Sequence, residues 1–124
     1  MSLAVQSTVP ILRIFDEAKA RDYYLGFLGF AVDWEHRFEP GMPLYMQVSL
    51  GGLTLHLSEH HGDATPGSTV FLRVTGLAEY HAAISAKGYQ YCRPGIETTF
   101  HGSRSMEVGD PFGNRLRFDE AMAK

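Results

Sequence analysis

Two stretches of six residues, VPILRI at 9–14 and TVFLRV at 69–74, decide how this chain is organised. They align at an offset of 60, and the pair Leu12-Arg13 in the first is identical to the pair Leu72-Arg73 in the second. Each stretch reads as a β-strand, and apolar residues at helical spacing follow it. A repeat of this length predicts that two copies of one supersecondary unit build the fold.

A predicted helix follows each of these strands and ends at a glycine. Its apolar positions are Ala18, Tyr23, Tyr24 and Phe27 in the first half and Leu77, Tyr80 and Ile84 in the second. Asp16 is a suitable N-cap for the first helix. Gly29 and Gly88 supply the left-handed C-terminal conformation that favours glycine.

Three more strands are predicted in each half. Residues 30–34 and 89–93 alternate as strands do, and both run into loops that contain proline and glycine. Hairpins follow at 44–58 and at 105–119, and the offset grows from 60 to 61 across the second turn because that turn is one residue longer. Each half therefore reads as strand, helix, strand, strand, strand.

The predicted fold class is α+β, with two tandem βαβββ modules in a single domain over 1–124. The first module covers about 7–59 and the second about 68–120. The segment 60–67 between them is polar, contains proline and glycine, and shows no periodicity, so it is predicted to be a linker.

Composition excludes several classes of function. A chain of 124 residues with 44% hydrophobic and 20% charged residues is ordinary for one compact domain. No apolar run approaches the length of a membrane span, and residues 1–6 show no basic stretch followed by an apolar block and a cleavage site, so we expect a cytoplasmic protein without a membrane partner. The net charge is -3 and no basic cluster stands out, which argues against nucleic acid. The single cysteine, Cys92, rules out an internal disulfide.

Alternation along the strands sorts side chains by face. In the fourth strand of the first half, Leu53, Leu55 and Leu57 share one face, and His56 points to the other with its polar neighbours. The helices are expected to cover the apolar faces. The opposite faces are then lined by Tyr45, Gln47, His56, Thr69, Phe71, Glu107 and Arg117. A mixed face of this kind suits a ligand, although a solvated face with a Glu107–Arg117 ion pair is the alternative.

Four motifs carry a resemblance to a known family. They are VPILRIFD at 9–16, YYLGFLGFAVDW at 23–34, LTLHLSEHH at 53–61 and DPFGNRLRF at 110–118. On these the chain resembles the vicinal oxygen chelate superfamily, which includes glyoxalase I, extradiol dioxygenases, fosfomycin-modifying enzymes and bleomycin resistance proteins. It looks most similar to the bleomycin resistance branch. The resemblance implies a dimeric fold with a concave face that binds a ligand.

Enzymes of this superfamily hold a divalent metal with ligands from the first and fourth strands of each half. The matching positions here are Val9, His56, Thr69 and Arg117. Only His56 is a good ligand, because valine has no donor atom and a guanidinium is always protonated. We therefore expect no metal and no cofactor. A lyase or dioxygenase that uses His56 with Glu107 stays open as the alternative.

His60 lies four residues after His56, a spacing that chelates zinc on a helix. The alternating leucines place His56 on a strand and His60 beyond its end, so the two rings need not converge. Solvated loop histidines are the favoured interpretation of His60 and His61.

The resemblance implies a function as a non-enzymatic binding protein. It would sequester a flat aromatic antibiotic of the bleomycin type in a groove at the interface of a homodimer. The candidate ligand-binding residues are Trp34, Phe38, Tyr45, Gln47, His56, Phe71, Phe100, His101, Arg104, Glu107 and Arg117. For Trp34, a place in the core beside Phe30 and Val32 is equally open. A scaffold for protein interactions is a further alternative.

Overall fold

The computed structural model describes residues 2–90 and 92–122. The first half contains strand β1 (Ile11–Arg13), helix α1 (Glu17–Ala20), a π-helical segment (Arg21–Phe27), and strands β2 (Ala31–His36), β3 (Tyr45–Leu50) and β4 (Leu53–Ser58). These strands form the first sheet, in the order β1-β4-β3-β2. β1 lies parallel to β4, and the other pairs are antiparallel.

The second half repeats this arrangement. It contains β5 (Thr69–Arg73), helix α2 (Leu77–Ser85), β6 (Glu97–Thr98), β7 (Ser103–Gly109) and β8 (Arg115–Ala121). The second sheet has the order β5-β8-β7-β6. Ile11 pairs with His56 in the first sheet, and Phe71 pairs with Arg117 in the second, so the two registers match at the predicted offsets. The prediction of two tandem βαβββ modules is confirmed.

The helix ends follow the predicted chemistry. The Asp16 carboxylate accepts a hydrogen bond of 2.9 Å from the backbone N–H of Lys19, as an N-cap should. Gly29 has a φ of 89°, a conformation that side chains with a Cβ rarely adopt. One predicted helix position is wrong: Ala18 is exposed and Ala20 is buried. Ala20 stands three and four residues before the buried tyrosines of this helix and therefore shares their face.

The predicted strand at 89–93 is also wrong for residues 89–90 and 92–93, which do not lie in a strand. Tyr91 lies outside the described residues. The strand that pairs with β7 is β6, which is only two residues long. The Tyr89 ring packs against Phe27, with 5.0 Å between the ring centroids, and its hydroxyl donates to Asp22 at 3.1 Å. This segment therefore packs on the first helix instead of joining the sheet.

One apolar core joins the two halves. The apolar faces of both sheets and both helices contribute to it, including Leu12, Tyr24, Phe27, Met46, Leu55, Leu57, Ile84, Met106, Leu116 and Phe118. The polar faces of the two sheets therefore lie on the outside of this core. Among the described residues, no helix is long and apolar enough to cross a membrane.

Candidate functional site

Six aromatic rings gather on the polar face of the first sheet and on the loops beside it. They belong to Trp34, His36, Phe38, Tyr45, His56 and His60, and we call them the aromatic surface. Trp34 and Phe38 keep 43% and 74% of their surface exposed, so a molecule from solvent can reach them. The helices cover only the opposite, apolar face of this sheet, and this leaves the aromatic surface open.

The centre of the aromatic surface is a stacked pair. The rings of Trp34 and Tyr45 lie 6.0 Å apart between centroids and only 10° from parallel. His56 meets both rings edge-on, at 5.3 Å from Trp34 and 5.1 Å from Tyr45. Neighbouring rings in these arrangements hold one another in place, so their faces are oriented before a ligand arrives.

Phe38 forms the outer edge of the aromatic surface. Its ring lies 5.1 Å from His36 and 6.1 Å from His60, and His60 lies 6.4 Å from Tyr45. The sequence singled out Phe38 but missed His36 and favoured a solvated loop for His60. The available signal for His36 was its place two residues after Trp34 on one strand, which puts both side chains on one face.

A β-bulge explains why Trp34 is on the polar face. Val32 pairs with Val48, but Trp34 pairs with Gln47, so Asp33 is an extra residue in β2. The bulge reverses the alternation after Val32. Trp34 therefore lies on the polar face of the sheet and not on the core face that Val32 occupies. Of the two positions that the sequence left open for Trp34, the structure shows the one outside the core.

Asp33 also reaches this face and ends a chain of hydrogen bonds. The Tyr45 hydroxyl lies 2.6 Å from Nδ1 of His56, and Nε2 of His56 lies 3.0 Å from Oε1 of Gln47. Nε2 of Gln47 donates to the Asp33 carboxylate at 3.0 Å, and the Ser49 hydroxyl donates to the same carboxylate at 2.9 Å. Both ring nitrogens of His56 are thus engaged.

Burial shifts the pKa values of two of these groups. It lowers the pKa of His56, because the charged imidazolium is disfavoured away from water. It raises the pKa of Tyr45, and the negative charge of Asp63 raises it further. The Tyr45 phenol and the His56 imidazole are therefore both neutral near pH 7.

The second sheet carries a different set on its polar face. Glu107 accepts from Nε and Nη2 of Arg117 at 3.1 and 2.7 Å. Phe71, opposite Arg117 in the register, is 51% exposed, and the Arg73 guanidinium lies 5.6 Å from the centre of its ring. These contacts among the described residues stay within the second sheet, so Phe71, Glu107 and Arg117 form a group separate from the aromatic surface.

The remaining candidates lie elsewhere. Phe100 and His101 are in the turn before β7, where their rings pack edge-on at 4.9 Å and Phe100 is fully exposed. Arg104 pairs with Glu120 in the register, and both residues follow the alternation of the apolar face, next to Met106. One chain therefore divides the candidate residues among the polar face of the first sheet, both faces of the second sheet and one turn.

The positions that correspond to the superfamily's metal ligands do not fit a divalent cation. Val9 has no donor atom, Arg117 is a cation paired with Glu107, and both nitrogens of His56 have partners. In the part of the chain that the structure describes, no group of three or more His, Cys, Asp or Glu side chains is arranged to hold a metal ion. We therefore derive no chemistry through a metal.

One cavity lies away from the aromatic surface. It has a volume of about 790 Å³ and is lined by the turn 50–53, by residues 72–77 and by Tyr80, Phe118 and Ala121. Nearby polar groups are already bonded within the protein: the N–H of Gly76 donates to Glu120, and the Tyr80 hydroxyl donates to the carbonyl of Leu28. The aromatic surface instead presents exposed rings that are already oriented, so it is the better candidate for a flat ligand.

Comparison with known proteins agrees with this fold. A family model described as glyoxalase superfamily protein matches residues 1–124. The chain is similar to a bleomycin-binding protein solved in complex with bleomycin, at 25% identity and a TM-score of 0.73, over 95% of this chain and 100% of that one.

Two further structures show the same fold. One is a bleomycin resistance determinant encoded on the transposon Tn5, at 24% identity and a TM-score of 0.72, over 96% of this chain and 100% of that one. The other is TnmS3, an antibiotic-binding protein from Streptomyces sp. CB03234, at 20% identity and a TM-score of 0.74, over 98% and 100%. No curated protein sequence matches this chain.

Proposed function

The chain belongs to the glyoxalase superfamily, and from this premise we propose that it binds a flat aromatic small molecule without changing it covalently. The aromatic surface of the first sheet is the proposed contact. In a cytoplasmic setting, such binding would sequester an antibiotic of the bleomycin type. The structural neighbours that bind bleomycin and other antibiotics support this assignment.

The observation that carries the proposal is the open stack of Trp34 on Tyr45. A buried stack of two rings is a common core contact, but Trp34 is 43% exposed, and Phe38 beside it is 74% exposed. Exposed rings that are already oriented gain contact area with a planar ligand and lose little side-chain freedom on binding. This combination favours binding over a purely structural role.

We propose that the working unit is a homodimer. Within one chain, the group formed by Phe71, Glu107 and Arg117 does not contact the aromatic surface. A second copy can place its second sheet opposite the aromatic surface of the first copy and so enclose a ligand on both sides. The charges suit this approach, because Asp33 lies on one face and Arg115 and Arg117 lie on the other.

Calorimetric titration with metal-free bleomycin tests the proposal. We expect the wild-type protein to bind the drug at micromolar concentration, with one ligand per chain. The Trp34→Ala, Phe38→Ala double variant removes two ring contacts and should weaken binding by about 30-fold or more. Phe15→Leu is the matched control, because Phe15 is an exposed ring that packs on Phe112 of the other half.

Several results would contradict the proposal. Equal binding by the double variant would exclude the aromatic surface as the contact. A chemically altered drug after incubation would point to an enzyme. A monomer in sedimentation experiments that binds neither bleomycin nor any other flat aromatic compound would favour a protein-interaction scaffold.

A further inference from the structure

The hydrogen-bond chain on the first sheet has a single direction, and Asp33 sets it. A carboxylate only accepts hydrogen bonds, so the Gln47 amide must present its nitrogen to Asp33, at 3.0 Å. The amide oxygen of Gln47 then faces Nε2 of His56, also at 3.0 Å. An oxygen here requires a donor opposite, so the proton of the neutral imidazole sits on Nε2.

The same logic fixes the hydroxyl of Tyr45. With the proton on Nε2, Nδ1 of His56 carries a lone pair and accepts from the Tyr45 hydroxyl at 2.6 Å. Every proton in the chain therefore points toward Asp33, including that of Ser49. The Tyr45 oxygen at the other end has committed its proton and has only lone pairs left for a ligand.

We propose that Asp33 is a positioning residue that, through Gln47 and His56, makes Tyr45 a hydrogen-bond acceptor and thereby selects ligands that carry an N–H donor on a flat ring. This inference rests on the proposed function, since it assumes that the ligand lies on the aromatic surface. Amino- or amide-bearing heteroaromatic compounds are the favoured class. Rings that present only acceptor atoms to Tyr45 are disfavoured, because two lone pairs would face each other.

Asp33→Asn gives the sharpest test of the direction of the chain. An asparagine amide can accept from Gln47, as Asp33 does, or donate to it, and in the second case the Gln47 amide turns and presents its nitrogen to His56. The imidazole proton then moves to Nδ1, and the Tyr45 hydroxyl is free to donate to a ligand. The variant is therefore expected to weaken or reverse the preference, because residue 33 no longer forces one direction on the chain, whereas loss of a merely structural contact would leave the tautomer as it was.

The first readout is the tautomer of His56, measured by nitrogen NMR of the protein labelled at histidine, with the signal assigned through His56→Gln. We expect the Nε2–H form in the wild-type protein and a measurable fraction of the Nδ1–H form in Asp33→Asn. Asp33→Glu, which again only accepts, should restore the wild-type signal. Glu35→Gln removes the same charge two residues away, where the side chain pairs with Arg21, and should change nothing.

The second readout is the relative affinity for indole and benzofuran, which have the same shape but offer an N–H donor and an oxygen acceptor. We expect the wild-type protein to bind indole about three- to tenfold more tightly, and Asp33→Asn to lose or invert this ratio. An Nδ1–H tautomer in the wild-type protein, an unchanged tautomer in Asp33→Asn, or an equal ratio in both proteins would overturn the inference. Failure of the wild-type protein to bind either ring would instead contradict the proposed function, while the tautomer would still test the role of Asp33.

Discussion

His56 illustrates how neutral neighbours decide the state of a single residue. Its ring has Tyr45 on one nitrogen and Gln47 on the other, and neither partner carries a charge that would stabilise an imidazolium. Burial therefore lowers its pKa without opposition. The position that supplies a metal ligand in related enzymes acts here as the middle of a hydrogen-bond chain.

The lowered pKa of His56 predicts a dependence of stability on pH. Protonation favours the unfolded chain, where the histidine pKa is about 6.5, so the stabilisation is complete above about pH 7 and is lost as the pH falls below 6.5 toward the folded-state pKa. Chemical denaturation at pH 8 and pH 5 should show a larger loss for the wild-type protein than for His56→Gln. His61→Gln, in the exposed loop, serves as the control, and parallel curves for wild type and His56→Gln would contradict the prediction.

Which residues lie on the polar face of the first sheet was predictable only where the strands are regular. Alternation in β3 and β4 places Tyr45, Gln47 and His56 on the polar face, as the structure confirms. For Trp34, regular alternation alone would indicate the core, because it lies two residues after Val32. The bulge at Asp33 changes that face, and no glycine or proline at this point marks it in the sequence.

The turn between β7 and β8 is the element that ties the two halves together. Its Asp110 carboxylate accepts from the Tyr24 hydroxyl of the first half at 2.6 Å and from the backbone N–H of Phe112 at 2.8 Å. Asn114 donates to the same carboxylate at 2.9 Å and to the carbonyl of Arg13 at 2.8 Å. One short motif therefore connects the second sheet to both β1 and the first helix.

Asp110→Ala should consequently destabilise the fold. It leaves the largely buried Tyr24 hydroxyl without its acceptor and removes one of the two hydrogen bonds that the Asn114 amide donates, and we expect a loss of roughly 2–4 kcal/mol in the free energy of unfolding. Urea denaturation measures this loss, with the exposed Glu39→Ala as control. A loss below about 0.5 kcal/mol would show that the turn does not join the halves energetically.

Elements with strong local signals were predictable, and those fixed by distant contacts were not. The two hairpins have glycine-containing turns and alternating strands, and both were found where predicted. The segment at 89–93 has the right alternation for a strand, but Tyr89 packs on Phe27 of the other half. The periodicity of the sequence does not reveal a packing partner that lies about 60 residues away in the chain.

At the scale of the whole molecule, duplication leaves two open faces around one core. Each module buries its apolar face against the helices and the other module, so the two polar faces point outward. The resemblance predicted the fold correctly. It did not predict that the candidate residues of one chain would be divided among separate sheet faces and a turn, because that depends on how the modules pack.

The most direct test of the account is to map where a flat ring binds, by following backbone amide NMR signals during titration with indole. We predict that the shifted signals will cluster on β2, β3 and β4 around Trp34 and Tyr45, and that Trp34→Ala, Phe38→Ala will abolish them. Shifts that cluster instead around the cavity beside Tyr80 and Phe118 would contradict the central claim.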